Sequence, residues 1–383
     1  MKSTRWSFVA WAAIAALCLL YGPMAIEYTW RLFNPDSPGL WDHTYAAIVD
    51  HDEAYGASSV HGQQEATYEA NRLTLLFHTT AGGIAIMLFA AQFSARFRRD
   101  LGRHRNVGRV AGGLVLTTAV GSFLYLLSAG PEDTFDGPAF YVQLWALGIG
   151  AFASTALGIA AARKRQITMH QPLMALAFSM LLTAPLLRVG YLILGNTWPD
   201  STQLETNLAG AAILATWAPF GAFLAARTMP VAARRHPDVR PWSGRVATII
   251  AGTSALVATV VLVARAGAEL DGLERVAGCS LAGWLAALAV ALTRLAGAEH
   301  ASVGAEEWRS MVVGLLAGVP GVVLLWSIYD LPFTSAEALV GALLTAPAIT
   351  IVLALLHVIW RRRRPARQAP RERELVARAW QPS

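Results

Sequence analysis

Residues 72–128 read RLTLLFHTTAGGIAIMLFAAQFSARFRRDLGRHRNVGRVAGGLVLTTAVGSFLYLLS. This stretch contains two apolar runs, 72–94 and 107–128, separated by a strongly basic loop. A helix of about 20 residues rises 1.5 Å per residue and crosses roughly 30 Å of hydrocarbon. The stretch therefore predicts two membrane-spanning helices that are joined by a basic loop.

The same pattern recurs along the rest of the chain. The sequence of 383 residues is 55% hydrophobic and only 15% charged, a balance outside that of soluble globular proteins. Eight further apolar runs are long enough to span a bilayer: 8–26, 139–162, 171–195, 205–227, 246–265, 276–296, 310–329 and 337–360. We therefore expect an all-α integral membrane protein, a helical bundle of about ten transmembrane helices.

The basic residues cluster in alternate loops. With the amino terminus inside, roughly 26 of the 31 Lys and Arg fall on the inner side, as the positive-inside rule expects. The opposite loops are acidic. This pattern predicts that both termini face the cytoplasm and that the protein lies in the cytoplasmic (plasma) membrane. It also accounts for the basic composition without nucleic-acid binding, which we do not expect.

The spans divide the chain into four predicted parts. Residues 1–71 form a first transmembrane anchor and an acidic outer loop, and residues 72–227 form a core of five helices. Residues 228–360 add four helices, and residues 361–383 are a basic cytoplasmic tail. The loop at 27–71 and the tail are the candidate surfaces for a protein partner. The tail is also suited to anionic membrane lipids.

Ionisable side chains within the spans are the first candidates for function, because burial in lipid costs several kcal/mol without a partner. His78 and Arg188 are expected at a similar depth in the outer leaflet, with Gly82 one turn from His78. The Arg188 guanidinium stays charged and requires an anion. Its partner is either an outer-loop carboxylate or the acid group of a bound ligand. A quinone or a small hydrophobic molecule is the ligand class expected near Arg188. Snorkelling of Arg188 to the interface is the alternative.

His104 and His170 begin two spans that run in the same direction, so they share a depth at the cytoplasmic side. Gly108 and Gly112 follow His104 on its own helix face. A bare strip beside an imidazole suits a flat macrocycle, so axial ligation of haem b by His104 and His170 is one interpretation. Close helix packing at the glycines is the other.

Signatures of soluble-type enzymes are missing from the sequence. It contains no Walker loop, no HExxH and no GxSxG. Asp50, His51, Asp52 and Glu53 carry metal-binding atoms, but a contiguous acidic loop is usually solvated, so we predict no metal site.

Residues 78–130, with later positions to Arg188, resemble a bacterial family of predicted membrane proteins called domain of unknown function 2306. The resemblance covers about residues 72–226. It rests on a His-Arg-x-x-Gly-Arg motif formed by His104, Arg105, Gly108 and Arg109. Further matching positions are His78, Gly82, Gly83, Gln92, Phe93, His170, Met174, Leu187 and Arg188. The resemblance implies a helical membrane fold and singles out the same histidines, but it implies no reaction.

Three functions are consistent with these residues. The sharpest is a redox-linked or haem-binding membrane protein with a bis-histidine site. The second is a transporter or lipid-handling protein with a cavity at His78 and Arg188. The third is a non-catalytic membrane partner subunit. In each of the first two cases, the site is expected within residues 72–227.

Overall fold

The computed structural model describes residues 2–31, 33–34, 39–56, 59–229, 242–266, 269, 272–299 and 302–362. These residues form fourteen helices. In chain order they are α1 (Lys2–Arg31), α2 (Leu40–Ile48), α3 (His51–Tyr55), α4 (Val60–Ala70), α5 (Arg72–Gln92), α6 (Ala95–Arg98), α7 (Leu101–Ala129), α8 (Gly137–Arg163), α9 (Ile167–Thr197), α10 (Gln203–Thr228), α11 (Trp242–Ala266), α12 (Glu274–Ala296), α13 (Val303–Tyr329) and α14 (Ser335–Arg361).

The predicted number of spans is confirmed. Ten of the described helices, α1, α5 and α7 to α14, are long and apolar enough to cross a membrane. The described part of the chain is helical throughout and contains no strand. The protein is therefore an all-α, multi-pass integral membrane protein. Its orientation in the membrane stays a prediction.

Several helices begin earlier than the apolar runs indicate. Helix α7 begins at Leu101 because Asp100 caps it, accepting a hydrogen bond from the backbone N–H of Arg103 (2.9 Å). Helix α13 begins at Val303, with Ser302 accepting from the N–H of Ala305 (3.1 Å). Such caps satisfy backbone donors that have no partner within the helix. As a result, charged residues that the hydropathy pattern places in loops belong to the membrane helices.

The helices form two adjoining groups. Helices α5, α7, α8 and α9 pack around one another, and α1 packs on the outside of α5. Helix α10 packs on α9 and connects this group to α12, α13 and α14, while α11 lies against α13. We call the end of the bundle where α7 and α9 begin the basic end, which is predicted to be cytoplasmic, and the other end the acidic end.

The long loop after α1 folds back onto the acidic end of the bundle. Its helix α2 packs against α9 through a cluster of Trp41, Tyr45 and Tyr191. Burial raises the pKa of the Tyr45 hydroxyl to about 12. Glu53 of α3 accepts a hydrogen bond from the N–H of Gln203 at the start of α10 (3.1 Å). The loop is thus part of the folded structure at this end. The tail from residue 363 onward lies outside the described residues.

Gly121 sets the closest approach between α7 and α5. A Cβ atom at this position would lie 2.9 Å from the carbonyl oxygen of Thr74 and 3.0 Å from the backbone nitrogen of His78. Both neighbours are backbone atoms of a helix, so they cannot move aside independently. This contact places His78 directly against α7.

We expect Gly121→Ala to destabilise the protein by about 1–3 kcal/mol, because the new methyl group overpacks the α5–α7 contact. Gly113→Ala is the matched control on the same helix, since a Cβ there has nothing within 4 Å. The control should be neutral or gain up to about 1 kcal/mol from the helix propensity of alanine. Thermal unfolding of both variants in the same detergent measures the difference. Equal behaviour of the two variants would contradict the close contact.

Candidate functional site

Arg188 in α9 is surrounded by aromatic side chains at the acidic half of the bundle. Its guanidinium carbon is 5.1 Å from the ring centre of Trp41 and 5.2 Å from that of Tyr191. Three further tyrosines from α1 and α4 lie within electrostatic range of the guanidinium: Tyr21, Tyr28 and Tyr68. We call Arg188 and these five aromatic residues the Arg188 enclosure.

The Arg188 enclosure contains a positive charge without a carboxylate beside it. Among the described residues, no Asp or Glu forms an ion pair with Arg188. Cation–π contacts contribute about 0.5–2 kcal/mol each but leave the net charge uncompensated. The Arg188 side chain lies deep among the helices and still keeps part of its surface accessible. The described part of the outer loop thus supplies an aromatic ring to Arg188 and no carboxylate, which was one of the predicted partners.

A chain of buried polar groups connects the enclosure to the turn before α8. The Tyr191 hydroxyl donates to Oδ1 of Asn207 in α10, and Nδ2 of Asn207 donates to Oδ2 of Asp136. Asp136 has a left-handed backbone conformation (φ 64°), which Asp tolerates better than most residues. Burial raises the pKa of the Asp136 carboxyl well above its usual value. These groups hold Tyr191 in place against Arg188.

His78 has different partners from Arg188. Its Nδ1 lies 3.1 Å from the carbonyl oxygen of Thr118 in α7, and the Thr118 hydroxyl donates to the carbonyl oxygen of His78 (3.1 Å). A Cβ at Gly82 would lie 3.3 Å from Oγ1 of the same Thr118. His78 and Gly82 therefore face α7, whereas Arg188 faces α1 and the outer-loop helices. A site that joins His78 to Arg188 stays a prediction.

His104 and His170 both lie at the basic end. They begin α7 and α9, which run in the same direction on opposite sides of the four-helix group, and their imidazoles lie within electrostatic range of each other. Nδ1 of His170 lies 2.9 Å from the carbonyl oxygen of Gly158 in α8. That atom therefore carries the proton and donates, which leaves Nε2 as an acceptor.

His104 is held in the opposite tautomer by Gln92 at the end of α5. With the Gln92 amide oriented so that both its atoms have partners, its nitrogen donates to Nδ1 of His104 (2.5 Å) and its oxygen accepts from the N–H of Gly108 (3.1 Å). Nδ1 of His104 is thus an acceptor, and Nε2 carries the proton. Gln92 is therefore hydrogen-bonded, through its one side-chain amide, to His104 and Gly108 of the His-Arg-x-x-Gly-Arg motif.

The glycines beside His104 are covered by neighbouring helices. A Cβ at Gly108 would lie 3.5 Å from the side-chain amide of Gln92, and a Cβ at Gly112 would lie 3.0 Å from Cδ1 of Ile159 in α8. The strip that was predicted to be bare is occupied by these two side chains. Close helix packing, the alternative interpretation of the glycine spacing, therefore describes the observed contacts.

Part of the chain matches the model of a known protein family. Residues 75–225 match the family described as Predicted membrane protein, domain of unknown function 2306. This confirms the resemblance drawn from the motif residues. No curated protein and no solved structure matches the chain.

The segment that matches this family contains most of the polar groups described above, but not the complete Arg188 enclosure. It includes His78, His104, His170, Arg188 and the Tyr191–Asn207–Asp136 chain. Trp41 and the tyrosines of α1 and α4 come from outside it. The enclosure is therefore built jointly by the matched segment and the preceding residues.

The two imidazoles fit bis-histidine haem ligation unequally. His170 suits an axial ligand, because a hydrogen bond from Nδ1–H to a carbonyl fixes the ring and leaves Nε2 free. His104 in its present arrangement does not, since its Nε2 carries the proton while Nδ1 accepts from Gln92. Ligation by His104 requires the Gln92 amide to turn and the side chains over Gly108 and Gly112 to move aside.

Sequence reasoning missed the aromatic partners of Arg188 and the amide of Asn207 that holds Tyr191. Trp41 belongs to the outer loop, and its position in the sequence does not indicate which membrane helix it contacts. Asn207 and Asp136 did carry a signal. Asn207 is a polar residue inside an apolar run, and Asp136 precedes a glycine at a helix start. Both positions are more often explained by a tertiary hydrogen bond than by exposure.

The acidic loop residues act locally in helix capping. Oδ1 of Asp50 accepts from the N–H groups of Asp52 (2.8 Å) and Glu53 (2.9 Å) at the start of α3. Docking of a protein partner through loop 27–71 or tail 361–383 stays a prediction, as does the interaction of the tail with lipids.

Proposed function

We propose that this protein is a lipid-handling protein of the cytoplasmic membrane that binds an anionic amphiphile at the Arg188 enclosure. The ligand class is a carboxylate or phosphate head group that carries an apolar chain. The head group pairs with the Arg188 guanidinium, and the chain lies among the apolar side chains of α1 and α9. This corresponds to the second function inferred from the sequence, with Arg188 as its binding residue.

The observation that carries the proposal is a buried guanidinium with aromatic walls and no carboxylate ion pair in the described part of the chain. A charged group in a membrane helix is costly, and such residues usually mark substrate or ligand sites. Trp41 and Tyr191 contact each other and both contact the guanidinium, which restrains its orientation before a ligand arrives. An anion with two oxygens matches the planar fork of the guanidinium.

Binding of radiolabelled dodecanoate to the full chain in phosphatidylcholine nanodiscs tests the proposal. We expect saturable binding to the wild type that weakens roughly ten- to a hundredfold in Arg188→Gln, because a hydrogen bond to a charged group contributes about 1.5–3 kcal/mol. Arg188→Lys should lie between them, since it keeps the charge but loses the fork.

Arg265→Gln provides the matched control. Arg265 also stacks over a tryptophan at the acidic end, with its guanidinium carbon 4.6 Å from the Trp326 ring centre. This variant should bind dodecanoate as the wild type does. Equal binding by Arg188→Gln and the wild type would refute the proposal. Arg188-dependent binding of neutral decylubiquinone in place of dodecanoate would also refute it and would favour a quinone ligand.

Haem binding at His104 and His170 is a second candidate, favoured by the proximity of the two imidazoles and by the free Nε2 of His170. A reduced-minus-oxidised absorption spectrum of protein expressed with ample haem tests it. Bands that vanish in His170→Ala but persist in His78→Ala would support ligation at the basic end. A spectrum without haem bands would end this candidate.

A further inference from the structure

A cleft opens at the basic end of the bundle, apart from the Arg188 enclosure and from His104 and His170. It has a volume of about 690 Å³ and lies between α10, α12 and α13. Its deeper wall is apolar and includes Ala289 and Val290 of α12. Its mouth is polar and includes Arg227, Thr293, Arg294 and Trp308. The cleft is thus apolar toward the membrane centre and basic at the level of the head groups.

Arg227 is held in a fixed position at the edge of this cleft. Its Nη1 donates to Oε2 of Glu307 at 2.5 Å, and its guanidinium carbon lies 5.3 Å from the ring centre of Trp308. A Cβ at Gly304 would lie 3.3 Å from Nη2 of Arg227, so this glycine leaves room for the guanidinium. The ion pair and the ring contact restrain the side chain before a ligand binds, which lowers the entropic cost of binding.

The charges around the cleft do not balance. Oε1 of Glu307 also accepts from Nε of Arg362 (2.6 Å), so one carboxylate serves two guanidiniums. Glu306 is paired with Arg309. Arg294 has no ion pair with a carboxylate in the described ranges and is exposed at the mouth. The charged residues that line the cleft are Arg227 and Arg294, and of these two only Arg227 has a carboxylate partner in the described ranges.

We infer that the cleft binds a phosphate group, supplied by the head group of an anionic phospholipid whose acyl chain lies along α12. Arg227 and Arg294 pair with the phosphate oxygens, which arginine recognises through its planar set of donors. Basic pockets between membrane helices on the cytoplasmic side are suited to anionic head groups. The apolar wall formed by Ala289 and Val290 continues from the phosphate position toward the membrane centre.

This inference is independent of the Arg188 enclosure. The cleft is at the opposite end of the bundle and is lined by other helices. Failure of dodecanoate binding at Arg188 leaves the phosphate site unaffected, and the converse also holds.

Native mass spectrometry of the full chain in a neutral detergent tests the inference, with phosphatidylglycerol as the probe. We expect the first phosphatidylglycerol to bind about tenfold more weakly to Arg294→Gln than to the wild type, as expected for loss of one charge-assisted contact. Phosphatidylcholine should not compete for this site. Arg294 has no buried partner, so its substitution leaves the fold intact, and an unchanged unfolding temperature checks this.

Arg163→Gln is the control, because Arg163 is an exposed arginine in the last turn of α8 at the same end. Its substitution should leave phosphatidylglycerol binding unchanged. Wild-type affinity in Arg294→Gln, or an equal loss in Arg163→Gln, would overturn the inference.

Addition of inorganic phosphate distinguishes the two sources of the bound phosphate group, a lipid head group and free phosphate. Displacement of the lipid would assign the site to soluble phosphate, and persistence of the lipid would assign it to the head group.

Discussion

Glu307→Gln is expected to lower the free energy of unfolding by about 3–5 kcal/mol. Glu307 accepts from Arg227 and from Arg362, and the side chains of Glu307 and Arg362 are only 7% and 9% exposed. The amide has nearly the same shape as the carboxylate, so packing is preserved and the charge alone is lost. Arg362 then remains buried without an anion, and removing one partner of a buried ion pair is costly for this reason.

The control for this prediction is the ion pair between Glu205 and Arg275 at the acidic end. Its side chains are 26% and 38% exposed, so Glu205→Gln should cost only about 0–1 kcal/mol. Unfolding titrations with dodecyl sulfate in mixed micelles give both values. A double variant, Glu307→Leu with Arg362→Met, should recover part of the loss, because the buried Arg362 charge is removed together with its partner and only the partly exposed Arg227 is left without a carboxylate. An effect of Glu307→Gln no larger than that of Glu205→Gln would contradict the buried network.

Asn207→Leu is expected to destabilise the protein by roughly 2–5 kcal/mol, the second large effect. Asn207 is fully buried and connects the Tyr191 hydroxyl to the Asp136 carboxyl. Leucine has a similar volume but no polar atoms, so both groups lose a partner in the interior. Each buried polar group left without a partner costs about 1–3 kcal/mol. Oδ1 of Asp136 already has no hydrogen-bond partner, so this carboxyl would have none on either oxygen.

Asn196→Leu is the matched control at the same end of the bundle. Asn196 is exposed, and its amide donates only to the carbonyl oxygen of Leu192 one turn earlier (2.8 Å). Its substitution should change the free energy of unfolding by no more than about 0.5 kcal/mol. Unfolding in mixed micelles compares the two variants directly. If Asn207→Leu matched Asn196→Leu, the polar chain from Tyr191 to Asp136 would not contribute to stability.

The sequence predicted the membrane helices well because hydropathy is a local property. A run such as 337–360 has to span the bilayer whatever its neighbours are, since an unsatisfied backbone in lipid is too costly for any other structure. Helix ends were predicted less well. Glu306, Glu307 and Arg309 were placed outside the ninth span, but capping by Ser302 extends α13 over them. Glu306 pairs with Arg309, and Glu307 pairs with Arg227 and Arg362, so these charges are compensated within the helix bundle.

The sequence predicted which residues belong to the candidate sites, but not how those residues are arranged in space. The shared depth of His104 and His170 followed from the direction of their helices, and the structure places their imidazoles near each other. The tautomer of His104 depended on Gln92 in another helix, and no spacing rule contains that information. His78 and Arg188 also share a predicted depth, yet rotation of α5 and α9 about their axes directs the two side chains to different neighbours.

The sequence by itself determined that this protein crosses the membrane repeatedly, which segments cross it, and that Arg188 is a charge in need of a partner. Only the tertiary structure decided that Trp41 and Tyr191 enclose Arg188, that Asn207 reaches Asp136, and that Arg227 and Arg294 line one cleft. The physical reason is that transfer into lipid depends on the composition of each segment alone. The partner of a buried charge depends instead on how helices far apart in the chain rotate and pack against one another.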